Sequence, residues 1–141
     1  MKKYRLGKNS RKELATCTDN IQRVLNAAIS LGLMDFSVVE GARPQYEQDR
    51  YFKLGKSKVQ WPNSKHNVIK EGELSKAADV VPWINGKSSY RKSHCCYLAG
   101  LIISIGMSMG IRLRWGGNWD MDGEPITDQE FQDLVHFEEV T

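Results

Sequence analysis

A chain of 141 residues with a formal net charge of +3 is long enough for one domain with its own core and too short for two comfortable ones. Basic and acidic residues are mixed along it, which eases approach to an anionic polymer but lacks the dense basic stripe of a nucleic-acid binder. The polar N-terminus MKKYRLGKNSRKE is followed by no secretory apolar run, and the apolar stretch 95–109 falls short of the roughly 20 residues of a membrane span. The expectation is one domain over 1–141, monomeric, made in the cytoplasm and not inserted in a membrane.

In chain order, Ser10 and Glu13 stand in the S-x-x-E relation of a helix-starting capping box. Leu14, Cys17, Ile21, Val24, Leu25, Ala28 and Leu31 recur at three- and four-residue steps, which predicts one amphipathic helix stopping at Gly32. A short β-branched strand, 36–39, runs into Glu40-Gly41-Ala42-Arg43-Pro44. The proline biases Arg43 out of the helical region and suits the first turn of a helix that ends at Gly55. An arginine at such a junction can point into a cleft to meet a carboxylate or an oxyanion. On spacing alone, a surface pair with Glu47 or Asp49 is the favoured reading.

Residues 56–63 read as a loop containing Trp61-Pro62 that delivers Ser64-Lys65-His66. After a polar excursion, residues 77–84 form a strand closed by an Asn85-Gly86 turn. Asp79 shares a face of that strand with Ala77 and Val81, and a carboxylate on an apolar face is costly unless paired or bound to a metal.

Ser93 is placed to cap the next helix, whose core positions are Tyr97, Leu98, Leu101, Ile102, Ile105 and Met109, with Gly110 as its stop. His94, in its first turn, reads as an ordinary surface or capping histidine. Cys17, Cys95 and Cys96 have no CxxC spacing and small apolar neighbours, so reduced, packed thiols are expected.

Residues 111–115 form a further strand with Ile111, Leu113 and Trp115 on one face and Arg112 and Arg114 on the other. The loop Gly116-Gly117-Asn118-Trp119-Asp120 follows; its two flanking tryptophans can floor a groove, although sheet packing explains at least one of them. Asp120, Asp122 and Glu124 do not continue as an EF-hand beyond Gly123. Thr127 and Glu130 predict a short helix ending near Asp133. The last strand is 134–140, where His136 and Glu138 share a face.

His66, Asp79 and His136 together are two imidazoles and a carboxylate, the set a catalytic zinc wants, with a fourth position left for water. The order S-x-H, S-x-A-x-D and D-x-x-H-F-E resembles the LAS-type zinc peptidases. That family holds the D-alanyl-D-alanine carboxypeptidases and dipeptidases of the VanX/VanY type and the phage endolysins that cut L-alanyl-D-glutamate bonds. The resemblance extends to Leu6-Gly7-Lys8-Asn9-Ser10, Val39-Glu40-Gly41-Ala42-Arg43 and Arg114-Trp115-Gly116-Gly117, and is closest to the endolysin branch.

The resemblance implies that His66, Asp79 and His136 bind Zn2+, that Asp133 is the general base, and that Arg43 steadies the scissile carbonyl, which reverses the surface reading. It also implies that Ser64 lies beside the substrate, and Trp115 joins it as a substrate-binding residue. This chain departs from the family in having Ser75 where glycine is commonest, and a longer segment between His66 and Asp79. Strand geometry alone makes Glu138 a rival base; the motif prefers Asp133 and leaves Glu138 supporting or structural.

The implied fold is α+β, a small antiparallel sheet bearing the site with two or three packed helices. The implied function is a peptidoglycan endopeptidase that cuts stem peptides in host lysis, reaching the wall after the membrane is opened. A D-alanyl-D-alanine carboxypeptidase is the first alternative, disfavoured by the missing export signal, and an inert wall- or zinc-binding module is the second. Loops 56–63 and 116–126 are expected to set specificity.

Overall fold

The computed structural model describes residues 3–140; Met1, Lys2 and Thr141, the extremities of the expected domain and of the polar N-terminus, lie outside the described residues. The elements run α1 (Lys8–Leu14), α2 (Asp19–Ser30), β1 (Phe36–Glu40), α3 (Gln45–Lys53), β2 (Ala77–Ile84), β3 (Lys87–Ser88), α4 (Lys92–Ser108), β4 (Leu113–Gly116) and β5 (Asp133–Glu139). The sheet is antiparallel in the order β1-β2-β5-β4, with β3 paired to β2. The class is therefore α+β as expected, with four helices among the described residues rather than two or three.

The additional helix comes from a break in the first one. The apolar periodicity runs through residues 14–31, but the ladder stops after Leu14 and restarts at Asp19, where Thr18 Oγ1 accepts from the Ile21 amide. Cys17, between the two helices, bridges to Ser75 in parallel. The expected capping box serves another end. Ser10 lies inside α1, whose N-cap is Gly7; its hydroxyl accepts from the Val38 amide at 3.0 Å, while Glu13 Oε1 accepts from the Gly41 amide at 3.1 Å. Both side chains thus satisfy donors of the edge strand β1 and its exit, which have no strand beyond them to bond.

Core side chains from α2 and α4 pack on one face of the sheet, where Val38, Ala78, Val80, Leu113, Trp115 and Phe137 are all buried. The period of two then sends Asp79, His136, Arg114 and Glu138 to the other face. Register fixes their neighbours: Asp79 lies opposite His136, Ala77 opposite Glu138, and Arg114 opposite Glu138. The helical layer covers one face of the sheet, and the opposite face carries the polar cluster.

Several sequence expectations are corrected. Arg91, not Ser93, occupies the N-cap of α4, and Ser89 Oγ lies 2.6 Å from His94 Nδ1. Tyr97 and Leu31, expected in the core, are exposed. Ile111 is buried but precedes β4. No helix forms over 127–133: Ile126 has φ 61°, and side chains take the ladder's place, with Gln129 Nε2 donating to the Gly116 and Phe131 carbonyls and Gln132 Nε2 to that of Ile126. All three cysteines are free, and Cys17 and Cys95 are buried. Among the described residues no helix is long and apolar enough to cross a membrane.

Candidate metal centre

Asp79 projects from the middle of the sheet, with His136 beside it on the neighbouring strand. His66 arrives from the loop after α3, and that loop is fastened twice. The Arg43 amide donates to the His66 carbonyl at 2.8 Å, and the Lys76 amide donates to the Lys65 carbonyl at 3.0 Å. Ser75, the departure from the family glycine, is fully buried and bonds within the same junction, its hydroxyl donating to the Ala77 carbonyl at 2.7 Å.

His66 Nε2 lies 3.1 Å from Asp79 Oδ1 and 3.2 Å from His136 Nδ1, and His136 Nδ1 lies 3.4 Å from Asp79 Oδ1. A tetrahedral zinc with ligand bonds of 2.0–2.1 Å requires ligand atoms about 3.3–3.4 Å apart. The triangle matches that edge length closely. The far nitrogens are committed elsewhere: His66 Nδ1 sits 2.7 Å from the Gly41 carbonyl oxygen, and His136 Nε2 sits 2.8 Å from Glu138 Oε1. Each contact calls for an N–H on the far side of the ring, which turns the lone pair of the other nitrogen toward Asp79.

Three lone pairs therefore meet at one buried point, which attracts positive charge. Burial opposes ionisation of Asp79, yet the imidazoles of His66 and His136 outweigh it and hold the carboxyl well below the usual carboxylate range. Burial would lower His136 as well, but bonds to Asp79 and Glu138 raise it to about 9. A proton or a metal ion answers the same geometry, and His66, Asp79 and His136 could hold the metal.

Arg43 is buried and does not pair with Glu47, whose partner is Arg50. Its Nε and Nη2 donate to Glu40 Oε1 at 2.9 and 2.5 Å, its Nη1 donates to Gln48 Oε1 at 2.9 Å, and Nη2 lies 3.8 Å from Asp79 Oδ2. The guanidinium stacks over Tyr51, 4.6 Å from the ring centroid. Gln48, fully buried, also accepts from Asn67 at 3.2 Å. Glu40, Gln48 and Tyr51 escaped the sequence reading, since nothing in their spacing marks them as partners of one guanidinium, and so did Asn67, which bonds Gln48 and the Arg43 carbonyl.

A cleft of about 370 Å³ opens over the cluster, lined by Arg43, Ser64, His66, Asp133, His136 and Glu138 among others. Asp133 begins β5 where Gly116 lies opposite; a Cβ at Gly116 would fall 2.0 Å from the Asp133 carbonyl oxygen, so only glycine allows this approach. Burial and then the neighbouring Asp79 charge raise the Asp133 pKa above its ordinary value. Ser64 Oγ accepts from the His66 amide at 3.2 Å. Glu138 is already engaged by His136 and by Arg114, 3.4 Å away.

The expected role of Trp115 needs correction. Its ring is buried in the helical core, and its indole N–H donates to the Leu134 carbonyl at 2.8 Å. The tryptophan on the cleft is Trp119, 5.5 Å from His136 and stacked on Phe131 at 6.3 Å between centroids. Period two could have separated them, because Trp115 shares its strand face with Leu113.

Residues 2–140 match the model of the phage L-alanyl-D-glutamate peptidase family. The chain belongs to this family. Membership makes it a peptidase, and its similarity to individual relatives is spread along the molecule. The L-alanyl-D-glutamate peptidase of Escherichia phage T5 is 29% identical over 122 residues, covering 86% of this chain and 85% of that protein. The fold matches the crystal structure of Serratia marcescens L-Ala D-Glu endopeptidase ChiX with a TM-score of 0.75 and 24% identity, over 96% of this chain and 90% of that one.

Proposed function

We propose that this chain is a zinc-dependent endopeptidase that cuts the bond between L-alanine and D-glutamate in peptidoglycan stem peptides. It acts as an endolysin, as one monomeric catalytic domain, and reaches the wall from the producing cell once the membrane is opened. The observation that carries the reading is the triangle of His66 Nε2, Asp79 Oδ1 and His136 Nδ1, with sides of 3.1–3.4 Å on a chain of this family. Two nitrogens and one carboxylate oxygen suit zinc better than the oxygen-seeking calcium or magnesium.

When bound, zinc supplies Lewis-acid polarisation of a carbonyl and a lowered pKa for water. The chain's own residues do the rest. Asp133, at the cleft with its pKa raised, accepts the proton of the attacking water and returns it to the leaving amine. Arg43 is held rigid by Glu40, Gln48 and Tyr51, and steadies the negative charge that grows on the scissile oxygen. Glu138 orients His136 and does not serve as base, because its carboxylate is already shared between His136 and Arg114. Ser64 borders the substrate, and Trp119 replaces Trp115 as the aromatic wall.

Purified peptidoglycan digested by the zinc-loaded protein should release fragments with a new D-glutamate amino terminus, identified by mass spectrometry, and Asp133→Asn should abolish their release. Loss of terminal D-alanine alone would make the protein a carboxypeptidase instead.

A further inference from the structure

The cleft carries more positive charge than the proposed chemistry uses. Arg43, Lys56, Lys58, Lys65 and Arg114 line it, against the carboxylates of Asp133 and Glu138. Both guanidinium groups are already matched, Arg43 by Glu40 and Arg114 by Glu138. Lys56 and Lys58 differ: among the described residues neither forms an ion pair, and both are exposed. Each ammonium lies over an aromatic ring instead, Lys58 Nζ 5.6 Å from the centroid of Phe131 and Lys56 Nζ 5.9 Å from that of Tyr51. A cation on a ring face keeps its charge available to a second, anionic partner.

The segment that bears them is fastened from below. Gln48 Nε2 donates to Ser57 Oγ at 3.0 Å and to the Val59 carbonyl at 2.7 Å, on either side of Lys58. The same Gln48 accepts from Arg43. One buried amide thus sets the lysines and the arginine relative to each other. Opposite, Phe131 stacks on Trp119, which lies against His136, so Lys58 is joined to the His66, Asp79 and His136 cluster through two aromatic contacts.

We propose that Lys58, assisted by Lys56, is a carboxylate subsite that selects the free carboxylate of the D-glutamate next to the scissile amide. This inference rests on the endopeptidase reading above. A glutamate joined through its nitrogen to alanine continues the chain through one carboxyl and leaves the other free, a few bonds from the amide to be cut. A neutral carboxamide at that place has the same shape without the charge. An ammonium discriminates between them by charge-assisted bonding to the carboxylate, which the neutral carboxamide cannot match.

The test uses two synthetic stem peptides that differ only in this group, carboxylate or carboxamide, with kcat and KM measured on the zinc-loaded full chain. The wild type should prefer the carboxylate by roughly tenfold or more in kcat/KM, and added salt should erode the preference. Lys56→Gln with Lys58→Gln should remove it by raising KM for the carboxylate peptide, leaving kcat and the carboxamide peptide within about twofold. Lys58→Arg should retain most of it. Equal cleavage of both peptides by the wild type, or an unchanged preference in the double variant at normal zinc content, would overturn the subsite while leaving the endopeptidase intact. Failure of the wild type to cut either peptide would overturn both.

Discussion

His136 Nε2 lies 2.8 Å from Glu138 Oε1, and the two residues share one face of the last strand. This bond holds the ring so that Nδ1 turns toward Asp79 and His66. Glu138→Ala would free the ring and leave the Arg114 guanidinium without its partner. Zinc affinity, read by competition with a chromogenic chelator, should fall by roughly ten- to a hundredfold. Glu138→Gln keeps an acceptor oxygen and should lose less.

Gly41 supplies the corresponding restraint on His66 through its carbonyl oxygen. A Cβ there would fall 2.2 Å from Thr16 Oγ1 and 2.5 Å from the Glu13 carbonyl oxygen, the latter a backbone atom of α1. Gly41→Ala should therefore destabilise the fold by about 1–3 kcal/mol through overpacking. It should also weaken zinc binding, because the displaced carbonyl is the one that fixes His66. Denaturant melts and zinc titration of one variant measure both effects.

Arg43→Lys keeps the charge and removes the fork. Lysine cannot meet Glu40 and Gln48 together as the guanidinium does, nor stack flat on Tyr51. Activity on peptidoglycan should drop about a hundredfold with zinc content unchanged. A variant that loses its zinc would show instead that the contribution of Arg43 runs through Asp79, 3.8 Å away.

Cys17 gives the fold a pH dependence. Burial pushes its thiol up from 9.0 to about 12, so the unfolded chain releases this proton at lower pH than the folded one. Its stabilising contribution is complete below pH 9 and declines as pH rises toward 12. Urea unfolding should show stability falling more steeply between pH 8.5 and 10.5, as a rough working window, in the wild type than in Cys17→Ser.

Most of the fold was legible because its strands alternate and its helices carry apolar stripes. Asp79 stood out as a carboxylate within an apolar strand, and its cross-strand neighbour His136 announced itself in the same way. The break at Cys17 was hidden, since the apolar spacing continues across it and only the pairing with Ser75 interrupts the helix. The helix expected over 127–133 does not form for a related reason: Gln129 and Gln132 tie this segment to the Gly116, Phe131 and Ile126 carbonyls, and propensity does not reveal such contacts. The surroundings of Arg43 were likewise illegible: Gln48 is only five residues away but bonds the guanidinium from inside α3, and Asn67 reaches Gln48 and the Arg43 carbonyl only through the chain's return past Ser64.

The most direct test of the account is the zinc stoichiometry of the purified protein and of Asp79→Ala, measured by elemental analysis after equilibration with excess zinc and desalting. One ion per chain in the wild type and none retained by a folded Asp79→Ala is the predicted result. Equal zinc in both proteins would contradict the metal centre at His66, Asp79 and His136.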